Sequence, residues 1–158
     1  IHPSIVDNAH WNRIAALTLS LMELKEFGKD YAKQVIKNAK KLGKTLLEFK
    51  MPVKCPKDII TETHQVFLIY NEYKKNKEFA NKLEKANIIV DCGIRLGTNE
   101  VTRLGMKEEE MEKIAELIYR VHKGEDVEKI KNEAIKLRKE FNEIHFRFKD
   151  INIEDILN

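Results

Sequence analysis

A chain of 158 residues with 42% hydrophobic content is long enough for one domain around a single core and too apolar for intrinsic disorder. Its net charge of +3 is spread over 29 basic and 26 acidic residues, which leaves no concentrated basic patch for nucleic acid. No apolar run approaches the roughly 20 residues of a membrane span. Lys and Glu dominate the polar residues, while Gln occurs twice, at Gln34 and Gln65. That bias is common in proteins from very hot environments. The first residue is Ile1 and no signal-peptide pattern follows it, so the expectation is a cytoplasmic protein, processed or part of a longer chain. Cys55 and Cys92 are far apart, lack metal-ligand spacing and read as reduced thiols.

In chain order, residues 8–27 are apolar nearly all round, through Trp11, Ile14, Leu17, Leu19, Leu21, Met22 and Leu24. Such a helix is expected to be buried on most faces. Gly28 is expected to interrupt it, and Asp30 to cap a second helix with Tyr31, Val35, Ala39, Leu42 and Leu46 on one face. Two prolines in "FKMPVKCPKDII" end the helical pattern. The β-branched and aromatic run His64–Tyr70 reads as a buried strand. A helix over 73–86 turns Phe79, Ala80 and Leu83 inward, and Asn87–Val90 and Gly93–Gly97 read as two more short strands. A helix over 107–122 places Met111, Ile114, Ala115, Ile118 and Val121 at helical spacing and stops at Gly124. The last helix, 126–144, carries a narrow stripe of Val127, Ile130, Ala134, Leu137, Phe141 and Ile144, which either packs on the domain or forms a coiled-coil seam. The tail from Asp150 is expected to be loosely held. Helices, then a small and antiparallel sheet with one intervening helix, then helices again define an α+β fold.

Two tempting motifs fail on spacing. Gly43-Lys44-Thr45 resembles the end of a phosphate loop, but Asn38 stands where the leading glycine belongs and the pattern around it is helical. His2, His10, His64, His122 and His145 show no metal-ligand spacing. His64 opens a strand after "TET" and suits a hydrogen-bonding role.

Arg95 stands apart. Only 6 of the 29 basic residues are Arg, and this one lies between Gly93 and Gly97. Strand alternation puts Ile94 and Leu96 on one face and Arg95 on the other. The glycines leave room for a ligand or another backbone. A guanidinium holds a carboxylate through two parallel hydrogen bonds, which Lys cannot match. The residues alone leave two readings open: a carboxylate-binding fork, or an ordinary salt bridge to a nearby Glu.

The stretch "GIRLGTNEVTRLGMKEEEMEKIAELI" resembles the C-terminal domain of serine hydroxymethyltransferases, the archaeal branch in particular. "LEKANI", "TETHQVFL", "HPSIVDNAHWNRIAAL" and the long helical run after it are similar to further family segments, so the resemblance covers roughly residues 2–120. It implies the small C-terminal domain of the aspartate-aminotransferase (type I pyridoxal-phosphate) fold, with connecting helices over 1–50 and the small domain over 51–158. It implies a homodimeric transferase that interconverts serine and glycine. Pyridoxal 5'-phosphate would be the cofactor and tetrahydrofolate or tetrahydromethanopterin the one-carbon carrier. Arg95 takes the place of the residue that binds the substrate carboxylate. Asn8 and His10 fall in a turn that reaches the partner subunit's cofactor phosphate, with Asp7-Asn8 where bacterial members carry Gly-Gly. Held only by that dimer, Pro3–His10 is expected to be mobile in the isolated chain.

The chain also departs from the family pattern. Only "IVDC" joins "ANI" to "GIR", where the family has a longer loop that shapes the pterin side, and Cys92 replaces the usual Ser. Leu104 stands where a second Arg often follows. The Thr-rich run that ends in the cofactor-linked lysine is missing, so the chain alone is expected to lack catalysis and to bind no cofactor specifically. Two alternatives accompany this reading: the small domain of another type I pyridoxal-phosphate enzyme, and a helical interaction module that dimerises through the 127–144 stripe.

Overall fold

A computed structural model describes residue 8, residues 10–70 and residues 72–149. Helix α1 spans Trp11–Glu48, strand β1 Gln65–Phe67, α2 Tyr73–Lys85, β2 Arg95–Gly97, α3 Asn99–Arg103, α4 Glu108–Lys123 and α5 Val127–Lys139. A short 3-10 turn, Pro56–Asp58, lies between α1 and β1. The two strands pair antiparallel, with Gln65 opposite Gly97, Val66 opposite Leu96 and Phe67 opposite Arg95. Among the described residues no helix is long and apolar enough to cross a membrane. Most of the expected Pro3–His10 turn, and the whole tail from Asp150, lie outside the described residues.

The chain divides into two compact units. The first joins the described residues up to Tyr31 with those from Phe146. It holds two aromatic pairs, Phe27 with Phe148 and Tyr31 with Phe146, each with ring centroids 5.3 Å apart. Here two expectations are corrected. Gly28 and Asp30 lie inside one continuous helix; a single glycine costs about 1 kcal/mol in a helix interior, less than opening the ladder and capping two new ends. Nor is the apolar stretch buried: Trp11 is 76% exposed, Leu17 59% and Leu24 53%. An all-round apolar helix needs covering surface on several sides, and the described residues of this unit do not supply it.

The second unit, Ala32–His145, holds the core. Leu46, Leu68, Leu83, Ile94, Met111 and Ile118 are essentially inaccessible to solvent. Val35, Ala39, Leu42 and Leu46 form the expected inward face of α1. The α5 stripe packs on the domain: Ile130 is fully buried, and Val127, Ala134, Leu137 and Phe141 lie against the core, while Ile144 is half exposed. That packing uses up most of the seam on which a dimerising module would depend.

Local chemistry explains the other differences. Strand β1 is shorter than the expected His64–Tyr70 because β2 offers only three residues for pairing, and Leu68 bridges instead to Val53. Residues 88–90 have the alternation of a strand, with Ile88 and Val90 partly buried and Ile89 86% exposed, yet no neighbouring strand pairs with them among the described residues. Asn87, at φ +58°, ends α2 in the left-handed conformation, and the Ile88 N–H returns to the Leu83 carbonyl at 2.9 Å. The last helix closes at Lys139, where the Arg138 guanidinium donates to the Phe141 carbonyl at 2.6 Å. Helix α4 ends as expected at Gly124, φ +77°.

An ion cluster staples α4 to α5. Arg120 donates to both carboxylate oxygens of Glu133, at 2.6 and 3.0 Å, and to Glu125 at 2.8 Å. Its side chain is 13% exposed and that of Glu133 42%. The hydrogen bond from Arg120 holds the Glu133 carboxyl below the usual carboxylate range. A depressed carboxyl stabilises the fold fully above its unfolded pKa, about 4.3, and that contribution is lost as pH falls through the folded value. Arg120→Met should therefore cost about 1 kcal/mol at neutral pH, discounted for the exposure of Glu133, and less at pH 3. Urea melts of both proteins at the two pH values check this; equal differences at both would show that the pair adds nothing.

Candidate carboxylate-binding site at Arg95

The exposed face of the β1–β2 ladder carries the candidate site. Val66 and Leu96 point into the core, while Phe67, Arg95 and Gly97 lie on the open side. Phe67, directly opposite Arg95, is 38% exposed. Among the described residues, a Cβ at Gly97 would come within 4 Å of the His64 ring alone, at 3.9 Å. The residues therefore form an open platform, with the guanidinium flanked by an aromatic ring and bare backbone.

The backbone at this site is fixed at both ends. The Ile94 carbonyl accepts from the Leu68 N–H at 3.1 Å. Beyond β2, the Thr98 N–H donates to the His64 carbonyl at 3.1 Å and its hydroxyl to the Val35 carbonyl at 3.0 Å. Asp91 organises the turn before the strand. Its Oδ1 accepts from the Gly93 and Arg95 N–H groups, each at 3.0 Å, and its carbonyl accepts from the Ile94 N–H at 3.0 Å. Its Oδ2 then pairs with Arg95 Nη2 at 3.0 Å. Gly93 is bare for a local reason: a Cβ there would stand 3.3 Å from Asp91 Oδ1.

Ile94 sits at φ +51°, an outlier for a β-branched residue. The turn that forces this conformation also buries the side chain completely. Strain of this kind costs about 1–3 kcal/mol, whereas truncating a buried Ile costs about 2–5 kcal/mol. Burial wins, so Ile94→Gly should destabilise the domain by roughly 1–3 kcal/mol despite relieving the backbone. A thermal melt that shows Ile94→Gly to be more stable than the parent would reverse that balance.

The two readings of Arg95 meet in this geometry. It does make a salt bridge, to an Asp four residues back and not to a Glu. That contact engages Nη2, and the side chain remains 51% exposed. Asn8 and His10 are exposed before α1, and the His10 carbonyl accepts the N–H groups of Arg13 and Ile14. Asn8 and His10 belong to the first unit and Arg95 to the second. Sequence reasoning missed Asp91 and Phe67. The signals were present in the D-x-G spacing of a side-chain-capped turn and in strand register. Gly43-Lys44-Thr45 lies within α1, where a Cβ on Gly43 would stand 2.3 Å from Ile60 Cγ2, so that glycine serves packing.

An apolar cleft of about 230 Å³ borders the Leu96 side of β2, lined by Leu42, Ile88, Val90, Met111 and Leu137 among others. Among the described residues its lining contains no lysine, and Arg138 is the one charged residue there. It does not fit a pyridine cofactor held through an amine and a phosphate.

Among solved structures, an L-threonine transaldolase from Pseudomonas fluorescens superposes with a TM-score of 0.87 at 27% identity, covering 99% of this chain and 39% of that one. The fold is thus the small domain of the type I pyridoxal-phosphate enzymes. Among curated proteins, the serine hydroxymethyltransferases of Archaeoglobus fulgidus, Staphylothermus marinus and Methanocaldococcus jannaschii are 38%, 41% and 41% identical over 94% of this chain. The chain is homologous to a segment of the archaeal serine hydroxymethyltransferases, and it spans only 37–39% of the length of these three. No family model matches the chain.

Proposed function

We propose that the chain is the C-terminal, substrate-carboxylate-binding part of a pyridoxal-phosphate-dependent serine hydroxymethyltransferase. That enzyme interconverts serine and glycine and passes the one-carbon unit to a tetrahydropterin. The observation that carries this reading is Arg95, exposed on a rigid two-stranded platform, in a chain whose relatives bear that name over nearly all of its length. The bare apolar first half of α1 supports it too, since a helix of that kind suits contact with further protein.

On this reading residues 1–50 are the connecting segment and 51–158 the small domain, in a cytoplasmic homodimer. Arg95 receives the amino-acid carboxylate on its guanidinium, in place of the contact with Asp91, and so fixes the orientation of the substrate α-carbon. Phe67 and Gly97 leave that approach open. Asn8 and His10 supply hydrogen-bond donors to the cofactor phosphate of the partner subunit. Pyridoxal phosphate itself, held mainly outside this chain, supplies the electron sink for chemistry at the α-carbon.

A chimera tests the reading. This chain replaces the homologous segment of the Methanocaldococcus jannaschii relative, and serine is titrated while cofactor absorbance is followed. The chimera is expected to bind cofactor and respond saturably to serine, and the isolated chain to show no stoichiometric, saturable cofactor band. A saturable band in the isolated chain, or a cofactor-loaded chimera blind to serine, would overturn the assignment. A transaldolase acting on L-threonine has the structural neighbour behind it; a chimera that turns over L-threonine but not serine would favour that reading.

A further inference from the structure

The pairing of Asp91 with Arg95 does more than brace a turn. One oxygen of Asp91 holds the backbone N–H groups of Gly93 and Arg95, and the other holds Arg95 Nη2. The same carboxylate therefore fixes the strand that carries the fork and occupies one arm of it. Both side chains remain accessible, at 43% for Asp91 and 51% for Arg95. An external carboxylate that approaches the guanidinium meets a site already part-neutralised by a negative charge in contact with Nη2. It must either share the fork with Asp91 or displace Oδ2 from it.

We propose that Asp91 is an internal competitor for Arg95, a carboxylate built into the turn that weakens the binding of an external one. The inference rests on the reading of Arg95 as a carboxylate-binding residue. The backbone role and the competing role sit on different oxygens, so they are separable by substitution. In Asp91→Asn the side-chain carbonyl still accepts from Gly93 and Arg95, which preserves the turn, while the charge at the fork is gone. The competing contact is an exposed ion pair, so its removal should tighten an external carboxylate by about two- to fivefold.

The test uses the 158-residue chain and sodium acetate at constant ionic strength, with sodium chloride as the control. The readout is the NMR shift of the Arg95 Nε–Hε group and of the Asp91 carboxyl carbon. In the unmodified chain both signals should move with one midpoint as Oδ2 is displaced. Asp91→Asn should lower the acetate midpoint of the Arg95 signal about two- to fivefold, and Arg95→Gln should abolish the response of the Asp91 carboxyl carbon. Should Asp91→Asn fail to fold, the unmodified chain decides: co-titration of the two groups supports competition, and a static Asp91 carboxyl overturns it. Equal or weaker acetate binding by a folded Asp91→Asn overturns competition and leaves the Arg95 site standing. An Arg95 signal that acetate does not move in either protein overturns the Arg95 reading, and this inference with it.

Discussion

Arg95→Lys, introduced into the chimera described above, should lower serine affinity by roughly ten- to a hundredfold. The substitution keeps the charge but replaces a planar fork with a point donor. A hydrogen bond to a charged group contributes about 1.5–3 kcal/mol, and each 1.4 kcal/mol is about tenfold in affinity. Arg95→Ala should cost at least as much. Neither variant should unfold the domain, because the side chain is 51% exposed and its partner is a surface carboxylate. Cofactor affinity should stay nearly unchanged, since the proposed function has the cofactor held mainly outside this chain. Serine titration of both variants, followed through cofactor absorbance, is the decisive measurement. Should Arg95→Ala bind serine as tightly as the parent, the pairing with Asp91 is the whole role of Arg95.

The candidate site is legible in the sequence where its geometry is local. Arg95 announced itself by residue type and flanking glycines, and the alternation of Ile94, Arg95 and Leu96 predicted their facing correctly. Asp91 was passed over because its role depends on a turn that places Ile94 at positive φ, a conformation that β-branched residues rarely adopt. Phe67 became part of the platform only through cross-strand register, which the sequence of one strand does not contain. The helices α2 and α4 follow from their apolar spacing. The continuity of α1 does not: Gly28 and Asp30 carry the local signature of a break, and the cooperativity of a 38-residue ladder overrides it. The extended segment 88–90 shows the opposite failure, because strand propensity cannot create a neighbouring strand. The short helix α3 leaves no legible signal, since five residues are too few to show a period.

The fold beneath the site depends on Asn38, which is fully buried in α1. Its Nδ2 donates to Thr102 Oγ1 at 2.8 Å and to the Met106 carbonyl at 2.9 Å, while its Oδ1 accepts from Gln34 Nε2 at 2.9 Å. Thr102 Oγ1 in turn donates to the Thr98 carbonyl at 2.6 Å, and Thr98 Oγ1 to the Val35 carbonyl. One α1 amide therefore holds α3 and the residue that follows β2. Asn38→Leu keeps the branching and the number of heavy atoms but leaves the Met106 carbonyl without this donor. An orphaned buried group costs about 1–3 kcal/mol, and losing the rest of the network raises the expected cost to about 2–4 kcal/mol. Asn38→Asp should be worse at neutral pH, because it retains the acceptor, removes the donor and faces a carboxylate toward a carbonyl. Lys40→Ala, which removes an exposed pair with Glu62, is the matched control and should cost under about 1 kcal/mol. For a domain of this size, 1 kcal/mol corresponds to about 2–4 °C in Tm, so Asn38→Leu should melt roughly 5–15 °C below the parent. A drop no larger than that of Lys40→Ala would mean that apolar packing alone holds α1 on α3. The Arg95 strand would then owe its position to Thr98 and the Asp91 turn, without help from the buried amide.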